Sequence, residues 1–239
     1  MKILLVDDSD DMRHLVELFL KMLSHTVVIA EDGSQAFGLF TSKPDIDLIF
    51  MDMRMPVLDG YAATQKIRQW ELEQKRRPVP IVAMTAFSNQ DEIAKSLEAG
   101  CNCHLVKPVN RDALARVIVE LTSASAATPT ASAGAQIQGV GGSEPIRVKV
   151  DPDLADLIPG YIEKRRQDVG KAEKLLQAGQ FEELRSIGHK IKGSGGGYGF
   201  SGLSEIGAAL ENAAKAVDGE QIKITLSKLQ NYLERLEII

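Results

Sequence analysis

The chain is predicted to fold as an α/β doubly wound, flavodoxin-like five-stranded parallel sheet followed by an all-α helical bundle. Residues 1–121 alternate short apolar runs with amphipathic stretches, the pattern of successive βαβ units. Residues 145–239 carry helical periodicity alone. Between them lies TSASAATPTASAGAQIQGVGGSE, residues 122–144, built from Ala, Ser, Thr and Gly with almost no large apolar side chain. Such a segment has nothing to bury and reads as a flexible linker. A length of 239 residues lets each half bury a core of its own.

In the first half, Lys2–Val6, Thr26–Ala30, Ile46–Met51, Pro80–Thr85 and His104–Val106 are the expected strands. Met12, Leu15, Val16, Phe19 and Leu23 recur at helical spacing after an Asp/Ser-rich start. Similar patterns run over Ser34–Phe40, Gly60–Glu73, Asn89–Ala99 with Gly100 as a stop, and Arg111–Leu121. In the second half no period-2 strand of any length is expected. Leu154–Ile158 suggests a short helix, and Pro159 suits the first turn of the next, which runs to Ala178. Phe181–Lys192, Ser204–Val217 and Gln221–Ile238 follow, the last with Ile222, Leu226, Leu229, Leu233 and Leu236 on one stripe.

Hydrophobic residues make up 44% and charged residues 26%, the balance of an ordinary globular protein. A net charge of -5 offers no general attraction for nucleic acid or anionic lipid. The opening run Ile3–Val6 is too short for a signal peptide or membrane span, so the expected location is cytoplasmic, without membrane insertion. Cys101 and Cys103, one residue apart, are expected as two reduced thiols beside a strand start.

In a doubly wound sheet the carboxyl ends of the strands converge on one crevice. Here they carry Asp7 and Asp8, Asp52, Thr85 and Lys107. Three converging carboxylates repel one another, and a hard cation such as Mg²⁺ resolves that conflict. A carboxylate so placed is able to attack phosphorus as a nucleophile, and Asp52, at the centre of the sheet, is best placed. The Thr85 hydroxyl and the Lys107 ammonium then supply a hydrogen bond and a charge to the added oxygens.

Of the four histidines, His14, His25 and His104 fall in the first half and are expected as ordinary surface or partly buried side chains. His189 differs, because it lies in HKIKGSGGGYGF, where helical spacing puts Lys192, Gly193 and Gly196 on its face. Glycine in a helix costs roughly 1 kcal/mol relative to alanine, and access to the imidazole is one reason to accept it. A neutral imidazole is a nitrogen nucleophile at neutral pH, and Lys192 is placed to steady phosphoryl oxygens.

On these residues the resemblance is specific. Residues 1–121 resemble the receiver domain of two-component response regulators, matching LLVDD, Phe50–Pro56, Asp59-Gly60, Met84-Thr85-Ala86 and Lys107-Pro108. It implies that Asp52 is a phosphoacceptor and that Mg²⁺ is held by Asp8, Asp7, Asp52 and the backbone carbonyl of Arg54. It also implies a cis Lys107-Pro108 peptide. His104 stands where the family usually has Tyr or Phe, and Arg54 and Phe87 occupy positions where bulk would shield an aspartyl-phosphate. Residues 145–239 are similar to histidine phosphotransfer domains through His189, Ile191, Lys192, Gly193, Ser194 and Gly199, which implies that His189 is a phosphoacceptor.

The expected function is therefore a two-component phosphorelay protein that accepts phosphate from a phosphohistidine donor and exchanges it between Asp52 and His189, or with partners. With no recognisable ATP-binding domain, the chain is not expected to be a kinase. Its expected partners are a sensor or hybrid histidine kinase and other receiver or histidine phosphotransfer domains, and no nucleic acid. A metal-dependent phosphatase of the haloacid-dehalogenase kind would account for Asp8-Ser9-Asp10 but leaves Asp52, Thr85, Lys107 and His189 without a joint explanation. A pure interaction protein that no longer takes phosphate is the third reading.

Overall fold

The computed structural model describes residues 1–43, 45–86, 90–122 and 145–239, and the chain divides into two compact units, Met1–Ala126 and Ala127–Ile239. Phe87, Asn89 and all but Thr122 of the expected linker lie outside the described residues. Thr122 itself closes a helix, its hydroxyl donating to the Ile118 carbonyl at 2.7 Å.

The first unit runs β1(Lys2–Val6), α1(Asp10–Met22), β2(Thr26–Ala30), α2(Gly33–Ser42), β3(Leu48–Asp52), α3(Gly60–Glu73), β4(Ile81–Thr85), α4(Gln90–Glu98), β5(Cys103–Val106) and α5(Arg111–Thr122). The strands are all parallel, in the order β2-β1-β3-β4-β5, the expected flavodoxin-like sheet. The central strands β3 and β4 are buried along their whole length, which is why their sequences are continuously apolar rather than alternating. Leu4, Val6, Ile49, Met51, Ile81 and Ala83 join the core that includes Phe40, Ala63 and Ile67 of α2 and α3. The intervening Ile3, Leu5, Phe50, Val82 and Met84 point to the opposite face. Asp52 is the last residue of β3, one beyond the expected strand end, in register with Met84.

At the amino ends of β4 and β5 a polar network replaces apolar packing. The buried Glu71 carboxylate accepts from Val79 N–H at 2.7 Å and from Arg68 at 2.6 Å. Arg68 also donates to Gly100 O at 2.9 Å and to Asn102 Oδ1 at 3.1 Å, and that oxygen receives Ile81 N–H at 2.8 Å. Gly100 has a φ of +109°, and a Cβ there would meet Arg68 Cγ at 2.8 Å, so the close approach of the guanidinium depends on glycine.

The second unit holds β6(Ile146–Val148), a one-turn 3₁₀ helix Pro152–Leu154, α6(Ile158–Gln177), α7(Phe181–Gly195), α8(Ser201–Lys215), α9(Gly219–Glu234) and β7(Leu236–Ile238). The helices contact one another in a ring, and their short connections make a four-helix bundle with antiparallel neighbours. Two expectations are corrected. The last helix stops at Glu234, and Leu236–Ile238 pairs in parallel with Ile146–Val148. Leu236 continues the i, i+3 leucine stripe of α9, so helical spacing carried on past the true end. Three-residue strands are also too short to show a period of 2. The short first helix, expected over Leu154–Ile158, is the 3₁₀ turn ending at Leu154, where Asp151 caps Asp153 N–H at 3.0 Å.

α7 and α8 pack closest of all, and glycine permits it. A Cβ on Gly188 would stand 2.5 Å from Glu211 N, and one on Gly207 2.4 Å from Lys192 N. Ser204 Oγ donates to Lys192 O and accepts from Gly196 N–H, each at 2.8 Å. Gly207→Ala must therefore push α8 off α7, an overpacking change that should destabilise the second unit by about 2 kcal/mol while leaving the first unit's unfolding transition in place. Arg68→Ala, which leaves a buried carboxylate short of its cation, should destabilise the first unit by about 3 kcal/mol. Urea unfolding followed separately by resonances of each unit measures both.

Candidate functional site

The first unit assembles its site at the carboxyl ends of β1, β3, β4 and β5. Lys107, just beyond β5, directs Nζ to Asp7 Oδ2 and to Asp52 Oδ2, each at 2.7 Å. The other oxygens of these acids accept backbone amides, Asp7 Oδ1 from Ser9 N–H at 2.9 Å and Asp52 Oδ1 from Arg54 N–H at 3.1 Å. Asp7 and Asp52 are 0% and 2% exposed, so the charges interact with little screening by water. Burial pushes the Asp7 carboxyl up, with Lys107 opposing and Asp52 adding to the rise. Burial alone would lower Lys107, but Asp52 and Asp7 outweigh it and hold the ammonium well above its ordinary range.

One carboxylate oxygen from each of Asp7, Asp8 and Asp52 lies within 4.8 Å of the others. Three carboxylates against one ammonium leave a local excess of two negative charges. The donor set is all oxygen, as a hard divalent cation requires. The residues present therefore fit Mg²⁺. Thr85 ends β4, buried, and its carbonyl receives the Lys107 N–H at 2.8 Å, tying the two strand ends together. The Lys107-Pro108 peptide is cis.

Beneath Asp52, Asp59 caps α3 by accepting Ala62 N–H at 2.8 Å, and Gly60 N–H donates to Met53 O at 3.2 Å. A Cβ on Gly60 would lie 2.1 Å from Asp52 O, so Asp59-Gly60 brings the helix start directly under the acid. Of the two residues expected to shield Asp52, Arg54 contributes its amide and Phe87 lies outside the described residues. His104 is partly buried in β5, and loss of hydration lowers its pKa.

The second unit carries a different constellation. His189, two turns into α7 and 16% exposed at its side chain, has Nδ1 at 3.1 Å from Glu211 Oε1 of α8. Lys192, one turn on, donates to Glu211 Oε2 at 3.2 Å. Burial would raise Glu211, but His189 and then Lys192 outweigh it and bring the carboxyl down to about 2. An ionised carboxylate only accepts, so the Nδ1 that faces it carries a proton, and in the tautomer this selects the ring's lone pair is on Nε2. Behind His189, Ser194 Oγ donates to Lys190 O at 2.7 Å and stands 3.1 Å from the hydroxyl of Tyr161, which stacks on Tyr198.

The glycine run also serves packing. Gly193 and Gly195 are buried, and a Cβ on Gly195 would meet Ser204 N at 2.7 Å. Gly195 thus admits α8 to α7, a role in packing beside the access expected of Gly193 and Gly196. Sequence reasoning missed Glu211, because a residue 22 positions away on the next helix leaves no local signal. Arg13 was missed too, although its place one turn after Ser9 put it on the rim of the acidic crevice.

Cys101 and Cys103 are both free. His14 is exposed on α1, and His25 is half-buried in the turn before β2, its pKa lowered by partial burial. Among the described residues no helix is long and apolar enough to cross a membrane.

Two family models match the chain, the response regulator receiver domain over residues 3–119 and the Hpt domain over residues 156–238. A chemotaxis protein CheY homologue of Campylobacter jejuni is 36% identical over 109 residues, 45% of this chain and 82% of that protein. The sensor histidine kinase GacS of Pseudomonas protegens is 35% identical over 121 residues, 51% of this chain but 13% of the kinase. Among solved structures, the receiver domain of a Pseudomonas aeruginosa sensor histidine kinase, with a magnesium ion coordinated in its active-site cleft, is 39% identical with a TM-score of 0.45. That match covers 49% of this chain and 93% of the other. The chain thus belongs to the response regulator receiver family, and it joins to its receiver domain an Hpt domain whose matched segment contains His189.

Proposed function

We propose that the chain is a phosphorelay carrier in which Asp52 accepts a phosphoryl group from a phosphohistidine donor and His189 carries one in exchange with receiver domains. The observation that supports this reading best is the shared ammonium of Lys107, 2.7 Å from both Asp7 and Asp52. In the transfer an Asp52 carboxylate oxygen attacks phosphorus, the P–N bond to the donor breaks, and the imidazole leaves with its electron pair. Lys107 and the Thr85 hydroxyl then face the new phosphoryl oxygens. Asp7, Asp8, Asp52 and the Arg54 carbonyl would hold Mg²⁺, which when bound offsets phosphoryl charge. The donor is a sensor or hybrid histidine kinase, and the cytoplasm is where the chain would meet it.

At His189 the attacking atom is Nε2. As the P–N bond forms, the O–P bond of the donor receiver's aspartyl-phosphate breaks and its carboxylate leaves with the electron pair, while positive charge develops on the ring and Glu211, already paired with Nδ1–H, stabilises it. Lys192 is one turn from the reacting nitrogen and is able to turn from Glu211 toward the phosphoryl oxygens. Labelling with phosphorylated kinase and Mg²⁺ tests the assignment. Base-labile label should vanish in Asp52→Ala, and acid-labile label should vanish in His189→Ala. Retention of either label in its variant sinks the corresponding role. If acetyl phosphate in place of the kinase labels His189 only when Asp52 is intact, exchange runs between the two units of this protein.

The depressed Glu211 carboxyl makes a second prediction. A group whose folded pKa lies below its ordinary 4.5 stabilises the fold above that value, and the contribution disappears as pH falls toward about 2. Wild type should therefore lose more melting temperature between pH 5 and pH 2 than Glu211→Gln does in its second unit. That variant should also slow His189 labelling about tenfold, with Asp52 labelling unchanged.

A further inference from the structure

Arg13 plays no part in the phosphate chemistry above, yet it is built into the rim of the same crevice. It lies in the first turns of α1 with its side chain 10% exposed. Nη1 donates to the main-chain carbonyl of Asp7 at 2.8 Å, a buried bond. Nη2 donates to Asp10 in the first turn of α1 and, at 3.3 Å, to Glu31 just beyond β2. One planar group therefore ties the end of β1, the start of α1 and the β2–α2 connection.

The position of that tie matters more than its strength. The Asp7 carboxylate is held by Ser9 N–H and by Lys107, and the Asp7 carbonyl is held by Arg13. The peptide leading into Asp8 is thereby fixed at its carbonyl, and with it the direction in which Asp8 leaves the chain. Main-chain bonds reinforce the turn, with Asp7 N–H on Ala30 O at 3.3 Å and Arg13 N–H on Ser9 O at 2.9 Å. The side chain of Ser9 at the helix start makes no capping bond, so the guanidinium joins the Asp7 carboxylate as a side-chain anchor of this turn.

We infer that Arg13 is a positioning residue for the cation site: its rigid fork sets the directions from which Asp7 and Asp8 offer their oxygens, and its charge offsets Asp10 and Glu31 beside them. This rests on the reading of Asp7, Asp8 and Asp52 as a Mg²⁺ site. A guanidinium presents donors in a fixed plane to two or three acceptors at once, whereas an ammonium on a flexible stem does not. Removing the side chain outright mixes two opposed effects, because a looser turn weakens cation binding while the loss of a positive charge strengthens it. Arg13→Lys separates them by keeping the charge and losing the fork.

The test is a Mg²⁺ titration of the full chain at low temperature, followed through the amide resonances of Ser9 and Arg54. Arg68→Lys serves as the control, since it breaks a comparable fork at the amino ends of β4 and β5. Arg13→Lys should raise the Mg²⁺ dissociation constant about tenfold, the usual scale for a group that orients metal ligands. Amide exchange at residues 8–10 of the metal-free protein should quicken as well. Arg68→Lys should lower the melting temperature and leave Mg²⁺ affinity within twofold of wild type. An unchanged dissociation constant in Arg13→Lys overturns the inference and leaves Arg13 a structural brace. Absence of saturable Mg²⁺ binding in wild type, or binding unaffected by Asp8→Asn, overturns instead the cation-site reading beneath it.

Discussion

The first unit depends on a single ammonium placed between two buried carboxylates. Without Lys107, Asp7 and Asp52 would face each other at the ends of adjacent strands with almost no water to separate them. Like charges buried together drive a carboxyl to hold its proton, and a carboxyl that holds its proton is a poor nucleophile. The ammonium keeps the pair compatible, and strand geometry puts it there. The parallel order β1-β3-β4-β5 brings four strand ends into line, and the Lys107 N–H bond to Thr85 O carries the chain beyond β5 toward the two acids.

The second unit arranges the opposite stoichiometry. There one carboxylate, Glu211, stands between a histidine and a lysine and gives each a separate oxygen. A lone ionised carboxylate that is 5% exposed would be costly, and its two partners offset that cost. The arrangement needs α8 to come within touching distance of α7, which explains Gly188 and Gly207 on the facing helices. In the first unit a cation makes acids compatible; in the second an acid orients a base. Both solutions leave an atom with an available lone pair at the surface of a rigid element, Asp52 at a strand end and His189 on a helix.

Local residues reveal the first site far better than the second. Asp7, Asp8, Asp52, Thr85 and Lys107 are each adjacent to an apolar strand run, so the rule that strand ends converge is enough to group them from the sequence. The sheet order followed from the same alternation. His189 was recognisable by its motif, but its partner Glu211 was not, because contacts between helices depend on packing phase and on which glycines allow close approach. The glycines themselves were visible, but the contact that Gly188 and Gly195 make with α8 was not, because it depends on a helix whose packing the local sequence does not give. The C-terminal strand was hidden by Leu236, which fits the leucine stripe of α9 yet pairs with Ile146.

Under the proposed reading, reversible transfer demands that neither site hold the phosphoryl group too well. An aspartyl-phosphate surrounded by unengaged cations would be stabilised and slow to pass on. Lys107 instead begins with two carboxylate partners, so pairing with phosphoryl oxygens competes with interactions it already has. The same holds for Lys192, which must leave Glu211 to reach a phosphoryl group on His189. In each unit the stabilisation gained by the phosphorylated form is reduced by an ion pair given up, and that places the two forms closer in free energy. Binding that favours the transition state over the loaded state is what a carrier needs. Prior engagement of the two lysines is a direct physical means to it.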